Sequence, residues 1–219
     1  MLSIVIGSLL GLAQTRIKRL LTYSTISHVG FMLLALSAYS TDAVTSFFFY
    51  LTQYSVTSLA SIMVLLAFGY VVRGKTSLIQ NRAHVFDIEI ISELTGLVRT
   101  QPMLSIGFAF LLFSMAGVPP FAGFFAKQGV LESSLVAHYG GLAVVAIIMS
   151  VVSASYYLKI VRLMQFNRNT TYQAESYQPL TAVHTFIVSA MLMLVTLYIL
   201  LPSSFLDSTR TLALIITVN

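Results

Sequence analysis

Residues 101–127 read QPMLSIGFAFLLFSMAGVPPFAGFFAK, and the interruption inside this apolar run decides how the chain folds. No charge occurs between Arg99 and Lys127. A membrane helix needs about 20 predominantly apolar residues, so the run is long enough to cross a bilayer. Near its middle stand Ser114-Met115-Ala116-Gly117-Val118-Pro119-Pro120. A proline removes its own N–H donor and clashes with the carbonyl four residues earlier. The helix is therefore predicted to break at Gly117, Pro119 and Pro120, freeing the carbonyls near Met115 and Ala116. Freed carbonyls at membrane depth need protein or water around them. Prolines of this kind, taken alone, more often mark a simple kink than a functional break.

Lys127, about two turns beyond the break, changes that weighing. A lysine at bilayer depth costs roughly 2.5–3.5 kcal/mol on insertion scales and is by default a functional residue. The competing reading is a side chain that snorkels to the interface. Glu132 is the nearest opposite charge, yet five helical residues turn about 140 degrees, so the two do not share a face. Lys127 is expected to find its partner on another helix or in water. A broken helix, internal water and a titratable lysine together suit a proton relay, with Glu132 beside it. On the second apolar run, Ser24, Ser27 and His28 form a polar stripe, and His28 is either a further relay residue or a packing histidine. Tyr50, Tyr54 and Ser58 on the next run are four apart, as are Gln53, Thr57 and Ser61. These two series are read as interhelical hydrogen-bonding residues.

The rest of the chain repeats the membrane signal. It has 219 residues, 57% hydrophobic and 9% charged, with a mean hydropathy of +0.88, whereas soluble domains carry about 25% charged residues. Lipid is the solvent these residues require. Charge-free runs predict spans at Leu20–Thr41, Ala43–Val72, Thr100–Ala126, Ser133–Leu158 and Ser176–Leu206. Met1 to Gln14 would reach about 21 Å of a hydrocarbon core about 30 Å thick, and is predicted to be a truncated span. It lacks the basic flank and cleavage site of a signal or transit peptide. The fold class expected is an all-α polytopic membrane protein with about five full helices, one truncated helix and a break at Gly117–Pro120. No repeat or linker divides it, so residues 1–219 read as one transmembrane domain.

The same map explains the net charge of +5. Arg16, Lys18, Arg19, Arg73, Lys75, Arg82, Arg99, Lys159, Arg162 and Arg168 all fall on one side, with only Arg210 opposite. Such asymmetry follows the positive-inside rule and places the basic side toward cytoplasm or matrix. Nucleic acid is not needed to account for it. The one long connector, 73–101, holds Asp87, Glu89 and Glu93 among Val85, Phe86, Ile88, Ile90 and Ile91, a pattern compatible with a short surface helix on the basic side, although a solvated connector is the plainer reading.

Other chemistry finds no support. There is no cysteine, which rules out thiolate metal sites and a cysteine nucleophile within the chain. His84, His138 and His184 are too scattered for a recognisable metal or haem site, and phosphate loops, dinucleotide fingerprints and hydrolase elbows are missing. No catalytic, cofactor-binding or metal-binding residue is assigned.

Two motifs carry a family likeness. The stretch Gly11-Leu12-Ala13-Gln14-Thr15-Arg16-Ile17-Lys18-Arg19-Leu20-Leu21-Thr22-Tyr23-Ser24-Thr25-Ile26-Ser27-His28-Val29-Gly30 resembles the signature shared by the antiporter-like subunits of respiratory complex I. Ala116-Gly117-Val118-Pro119-Pro120 followed by Gly123-Phe124-Phe125-Ala126-Lys127 resembles their second signature, in the same order. The resemblance runs from about Gly7 to Phe166. It implies a multi-pass subunit of the mitochondrial inner membrane with its basic loops on the matrix side, packed against other membrane-arm subunits and lipid. It implies a part in coupling NADH:ubiquinone electron transfer to proton translocation, while FMN, iron–sulfur clusters, ubiquinone and NADH belong to the complex and not to this chain. Lys127 matches the family's lysine on its second broken helix, whose role is proton transfer toward the positive side. Larger members carry two histidines and a lysine where this chain has Tyr50, Tyr54 and Ser58, and that departure removes one lysine from any relay. The family's first broken helix, its glutamate and its central lysines would lie N-terminal to Met1, so an exit half-channel is the most this stretch is expected to hold. A cation/proton antiporter component of the same superfamily and a purely structural anchor remain the alternatives.

Overall fold

The computed structural model describes residues 1–73, 88–99, 101–167, 182–200 and 202–218. Lys75, Arg82, His84, Val85, Phe86, Asp87 and Arg168 lie outside the described residues. The described residues contain eight α-helices and two short 3-10 turns and no strand. The α-helices are α1 (Leu2–Leu12), α2 (Ile17–Ser37), α3 (Thr41–Arg73), α4 (Pro102–Ala116), α5 (Ala122–Val136), α6 (Gly140–Phe166), α7 (Ala182–Leu200) and α8 (Pro202–Val218). The chain is an all-helical, multi-pass membrane protein. Ile17–Ser37, Thr41–Gly69 and Gly140–Phe166 are each long and apolar enough to cross a membrane unaided. Their outer faces keep Leu33, Ile62, Ile148 and Val151 exposed, as suits a surface solvated by lipid rather than water.

The break divides the apolar run into two half-helices of 15 residues each. This moves two expected boundaries. The run 100–126 does not end at Ala126, because α5 continues to Val136 with Lys127 and Glu132 inside it. The expected span Ser133–Leu158 is correspondingly displaced, since its first residues finish α5 and α6 runs from Gly140 through Lys159 and Arg162 to Phe166. Charges used as boundaries are thus interior to helices. The expected span Ser176–Leu206 is likewise divided, because Pro202 opens a separate helix, α8. Proline is favoured in a first helical turn, where its missing N–H has no partner to lose.

Arg16, Lys18, Arg19, Arg99, Lys159 and Arg162 belong to segments that meet at one end of the bundle. There the backbone N–H of Ile17 donates to Glu89 at 2.9 Å, that of Ile91 to Thr15 at 3.1 Å and that of Gly96 to Leu163 at 3.3 Å. Gln165 Nε2 donates to the Ser105 carbonyl at 3.0 Å. The described part of the connector is not a surface helix. It pairs its backbone with the turn before α2 and forms two short 3-10 turns at Ile91–Leu94 and Leu97–Arg99. Ile88, Ile91, Leu94 and Leu97 are buried in the core of that end. Satisfying backbone groups near the membrane drives this pairing.

A second core, with Ile4, Phe31, Tyr50, Ala126 and Val130, fills the half away from the basic end. There α1 and α2 cross closely. A Cβ at Gly7 would stand 2.6 Å from the Ser27 backbone nitrogen, and one at Gly30 would stand 2.9 Å from that of Ile4. Small residues allow this approach between membrane helices. Replacing Gly7 by valine is expected to separate the pair and cost about 1–3 kcal/mol, read as a lower melting temperature of the detergent-extracted protein.

Candidate functional site

The site is built on the end of α4. Gly117 adopts φ 83, and its N–H donates to Ser114 at 3.1 Å while Val118 N–H donates to Phe113 at 3.1 Å. These two bonds form a Schellman motif, which satisfies the carbonyls of Phe113 and Ser114. Gly117 therefore ends the helix, ahead of the prolines, and the chain resumes at Ala122. The carbonyl of Ala116 is left over, and Lys127 Nζ donates to it at 2.8 Å.

Lys127 is only 7% exposed. Its ammonium stands at the C-terminal end of α4, where the helix dipole is negative and favours a cation. It also lies 5.8 Å from the centroid of the Phe31 ring, within the range of a cation–π contact. Gly117 makes room for it: a Cβ there would lie 3.0 Å from Lys127 Cδ and 3.3 Å from Nζ. The partner of the lysine is thus the preceding half of its own broken helix.

Lys127 and Glu132 line one cleft of about 540 Å³ together with Gly117, Gln128, Ile147 and Ser150. Glu132 is exposed. The hydrogen bond of Lys127 goes to Ala116 and not to Glu132, in keeping with the angular separation expected of the pair. The cleft lies along α5 and α6 in the half of the bundle away from the basic end.

His28 is 5% exposed and sits between two tyrosines. Its Nδ1 is 2.8 Å from the Tyr50 hydroxyl and its Nε2 is 3.2 Å from the Tyr157 hydroxyl. A neutral imidazole has one donor and one acceptor nitrogen, so one tyrosine donates to the ring and the other accepts from it. The ring also stacks on Tyr54, centroids 4.4 Å apart, and Tyr54 donates to Thr25 Oγ1 at 2.8 Å. Tyr50 stacks on Phe31 at 6.2 Å, so aromatic rings bridge His28 and Lys127.

The polar series on α3 do join helices: Tyr50 and Tyr54 reach α2, and Gln53 Nε2 donates to Ser114 Oγ at 3.0 Å. Thr57, Ser58 and Ser61 instead bond carbonyls of their own helix. Phe31, Tyr156 and Tyr157 were not singled out by pattern. The adjacent tyrosines of α6, in a mostly apolar helix, are the signal that points to them. His184 Nε2 lies 3.2 Å from the Met63 carbonyl of α3, and His138 lies in the turn between α5 and α6 with φ 62. Among the described residues no cluster of three or more histidines and carboxylates could hold a metal ion.

Fold and site together define a polytopic helical membrane protein whose interrupted helix holds a buried lysine against its own freed carbonyl. The transmembrane profile of one family matches residues 1–153, and the chain belongs to that family, NADH:quinone oxidoreductase/Mrp antiporter. It is 50% identical over 169 residues to NADH-ubiquinone oxidoreductase chain 2 of Rhizopus oryzae, covering 76% of this chain and 31% of the relative. It is 38% identical over 196 residues to NADH-quinone oxidoreductase subunit N of Hydrogenovibrio crunogenus, covering 88% and 38%. The chain thus spans roughly a third of the length of the curated relatives it matches. Among solved structures, it is similar to a chain of respiratory complex I from Thermus thermophilus with bound aureothin, at TM-score 0.73 and 30% identity, covering 94% of this chain and 43% of that one. A chain of the Mrp complex from a Dietzia species shares the fold at TM-score 0.79 and 19% identity, covering 96% and 45%.

Proposed function

We propose that this chain is part of a proton-translocating membrane-arm subunit of mitochondrial complex I, with Lys127 as a proton relay. The carrying observation is the buried Lys127 ammonium hydrogen-bonded to the Ala116 carbonyl inside the helix break. Residues 1–219 act as one membrane domain. The basic end faces the matrix, following the positive-inside rule, and the connector 73–101 lies on that side. The cleft of Lys127 and Glu132 faces the intermembrane space. His28, linked to Lys127 through Tyr50 and Phe31, is the donor side of the relay. Glu132 receives the proton in the cleft. Lys127 passes through one cycle: its ammonium releases a proton to the cleft, and the neutral amine takes one from the His28 side. A lysine can serve this way because its ammonium rests on one fixed carbonyl, beside the Phe31 ring and at the wall of the cleft. The names of the relatives support the assignment to complex I, and electron transfer through FMN, iron–sulfur clusters and quinone belongs to other subunits of that assembly, which are the partners of this chain.

Replacing Lys127 by methionine in the assembled complex tests the proposal. Methionine keeps the length of the side chain and removes the proton. The expected result is normal assembly and NADH oxidation in the presence of an uncoupler, with a lowered proton-to-electron ratio. An unchanged ratio with full assembly would defeat the relay and leave a structural anchor.

A further inference from the structure

Two buried hydroxyls among the described residues have no hydrogen-bond partner, Tyr156 Oη and Ser105 Oγ. Buried polar groups are almost always satisfied by protein or ordered water, so each orphan calls for an explanation. Tyr156 is 1% exposed. Its polar neighbours are the Ser153 and Tyr157 hydroxyls, both too poorly placed to bond it directly. The Tyr156 and Tyr157 rings are 4.5 Å apart and tilted by 54°. The Tyr157 hydroxyl reaches His28 Nε2. That of Tyr156 turns to α1, where a Cβ at Gly11 would stand 3.2 Å from its Cε1 and 3.7 Å from its oxygen.

The level of this hydroxyl follows from the crossing of α1 on α2. Gly7 packs on the backbone of Ser27, beside His28. Gly11 lies one turn further along α1, about 6 Å nearer the basic end. The missing side chain at Gly11 lets the Tyr156 ring pack closely on α1, which brings the orphaned oxygen to the side of His28 nearer the basic end.

We propose that the hydroxyls of Tyr156, Tyr157 and Ser153 hold an ordered water that extends the His28 cluster toward the basic end, making Tyr156 a positioning residue for protons delivered to His28. Three hydroxyls match the roughly three hydrogen bonds of a typical buried water. The water passes a proton to Tyr157 and receives one from the basic side, and each hydroxyl, donor and acceptor at once, ends every transfer neutral. Ser105 Oγ marks the next such position, beside the carbonyl that Gln165 holds at the basic end.

This rests on the relay reading above, and the test separates the two. In the assembled complex, Tyr156→Phe removes only the hydroxyl. The expected result is unaltered assembly and uncoupled NADH oxidation, with a proton-to-electron ratio lowered as far as in Lys127→Met. If Lys127→Met lowers the ratio and Tyr156→Phe leaves it at the wild-type value, the water site is wrong and the relay stands. If neither lowers it, the relay itself falls and the water site with it. Should the phenylalanine variant not assemble, a high-resolution map of the wild-type complex decides. Ordered water density about 3 Å from the Tyr156 oxygen supports the site, and an apolar side chain or a direct Tyr156–Tyr157 hydrogen bond at that place overturns it.

Discussion

Replacing Gly123 by alanine is expected to be the most damaging glycine-to-alanine change among the described residues. A Cβ at Gly123 would stand 1.7 Å from the Ser114 carbonyl oxygen and 2.8 Å from its carbon. Both are backbone atoms of the other half-helix, so no side chain can swing aside. The Ser114 carbonyl is itself engaged, since it accepts the Gly117 N–H that closes α4. Gln53 Nε2, which donates to Ser114 Oγ, would be 3.6 Å from the same methyl. Relief therefore requires α5 to move away from α4, or the cap at Gly117 to open. Overpacking a well-filled core costs about 1–3 kcal/mol and sometimes more, and a clash between two backbones belongs at or above the upper end. A loss of about 3 kcal/mol lowers a folding equilibrium more than a hundredfold, at about 1.4 kcal/mol per factor of ten. The measurement is the melting temperature of the detergent-extracted protein together with the amount of complex assembled. Wild-type values of both would show that the two half-helices are not packed at Gly123.

Much of this fold is legible in the sequence, and the reasons it stops being legible are specific. Length and apolarity of the runs around α2 and α3 are enough to place both helices to within a few residues, because lipid leaves the backbone no other way to satisfy its own hydrogen bonds. The break near Pro119-Pro120 is legible for the same reason, and so is the freed carbonyl at Ala116. The break is expected at Gly117–Pro120 and Gly117 is its first residue, but that a left-handed Schellman cap there, and not the prolines, ends α4 is not legible. The boundary between α5 and α6 is misread from charge, since Lys127 and Glu132 are helix-interior residues whose cost is offset inside the protein rather than avoided. The cluster at His28 is half legible. The stripe of Ser24, Ser27 and His28 identifies the face, and the spacing of Tyr50 and Tyr54 identifies a partner helix. Tyr157, contributed from 129 residues away in sequence, carries no periodic signal linking it to His28. Phe31 reads as an ordinary core residue until the lysine is seen beside its ring.

Gly117→Ala is expected to separate the position of the lysine from the packing of the helices. At φ 83 the backbone of Gly117 lies in the left-handed region, where a Cβ costs about 1–2 kcal/mol. The methyl would also stand 3.0 Å from Lys127 Cδ and 3.3 Å from Nζ. Unlike Ser114 at Gly123, these atoms are the far end of a flexible side chain, and they can yield. The ammonium would leave the Ala116 carbonyl, to which it now donates at 2.8 Å, and swing into the cleft toward Glu132. Ala116 would then keep a buried carbonyl with no donor, adding to the strain at Gly117. The expected outcome is a protein that still assembles, destabilised by about 1–2 kcal/mol from the backbone alone, with a proton-to-electron ratio below wild type. Gly117→Asn provides the control for backbone strain, because asparagine tolerates the left-handed region better than alanine yet brings the same Cβ against Lys127. If asparagine restores the melting temperature and the ratio stays low, displacement of the lysine is responsible. If both recover together, the defect lies in the turn, and the contact between Gly117 and Lys127 has no part in proton transfer.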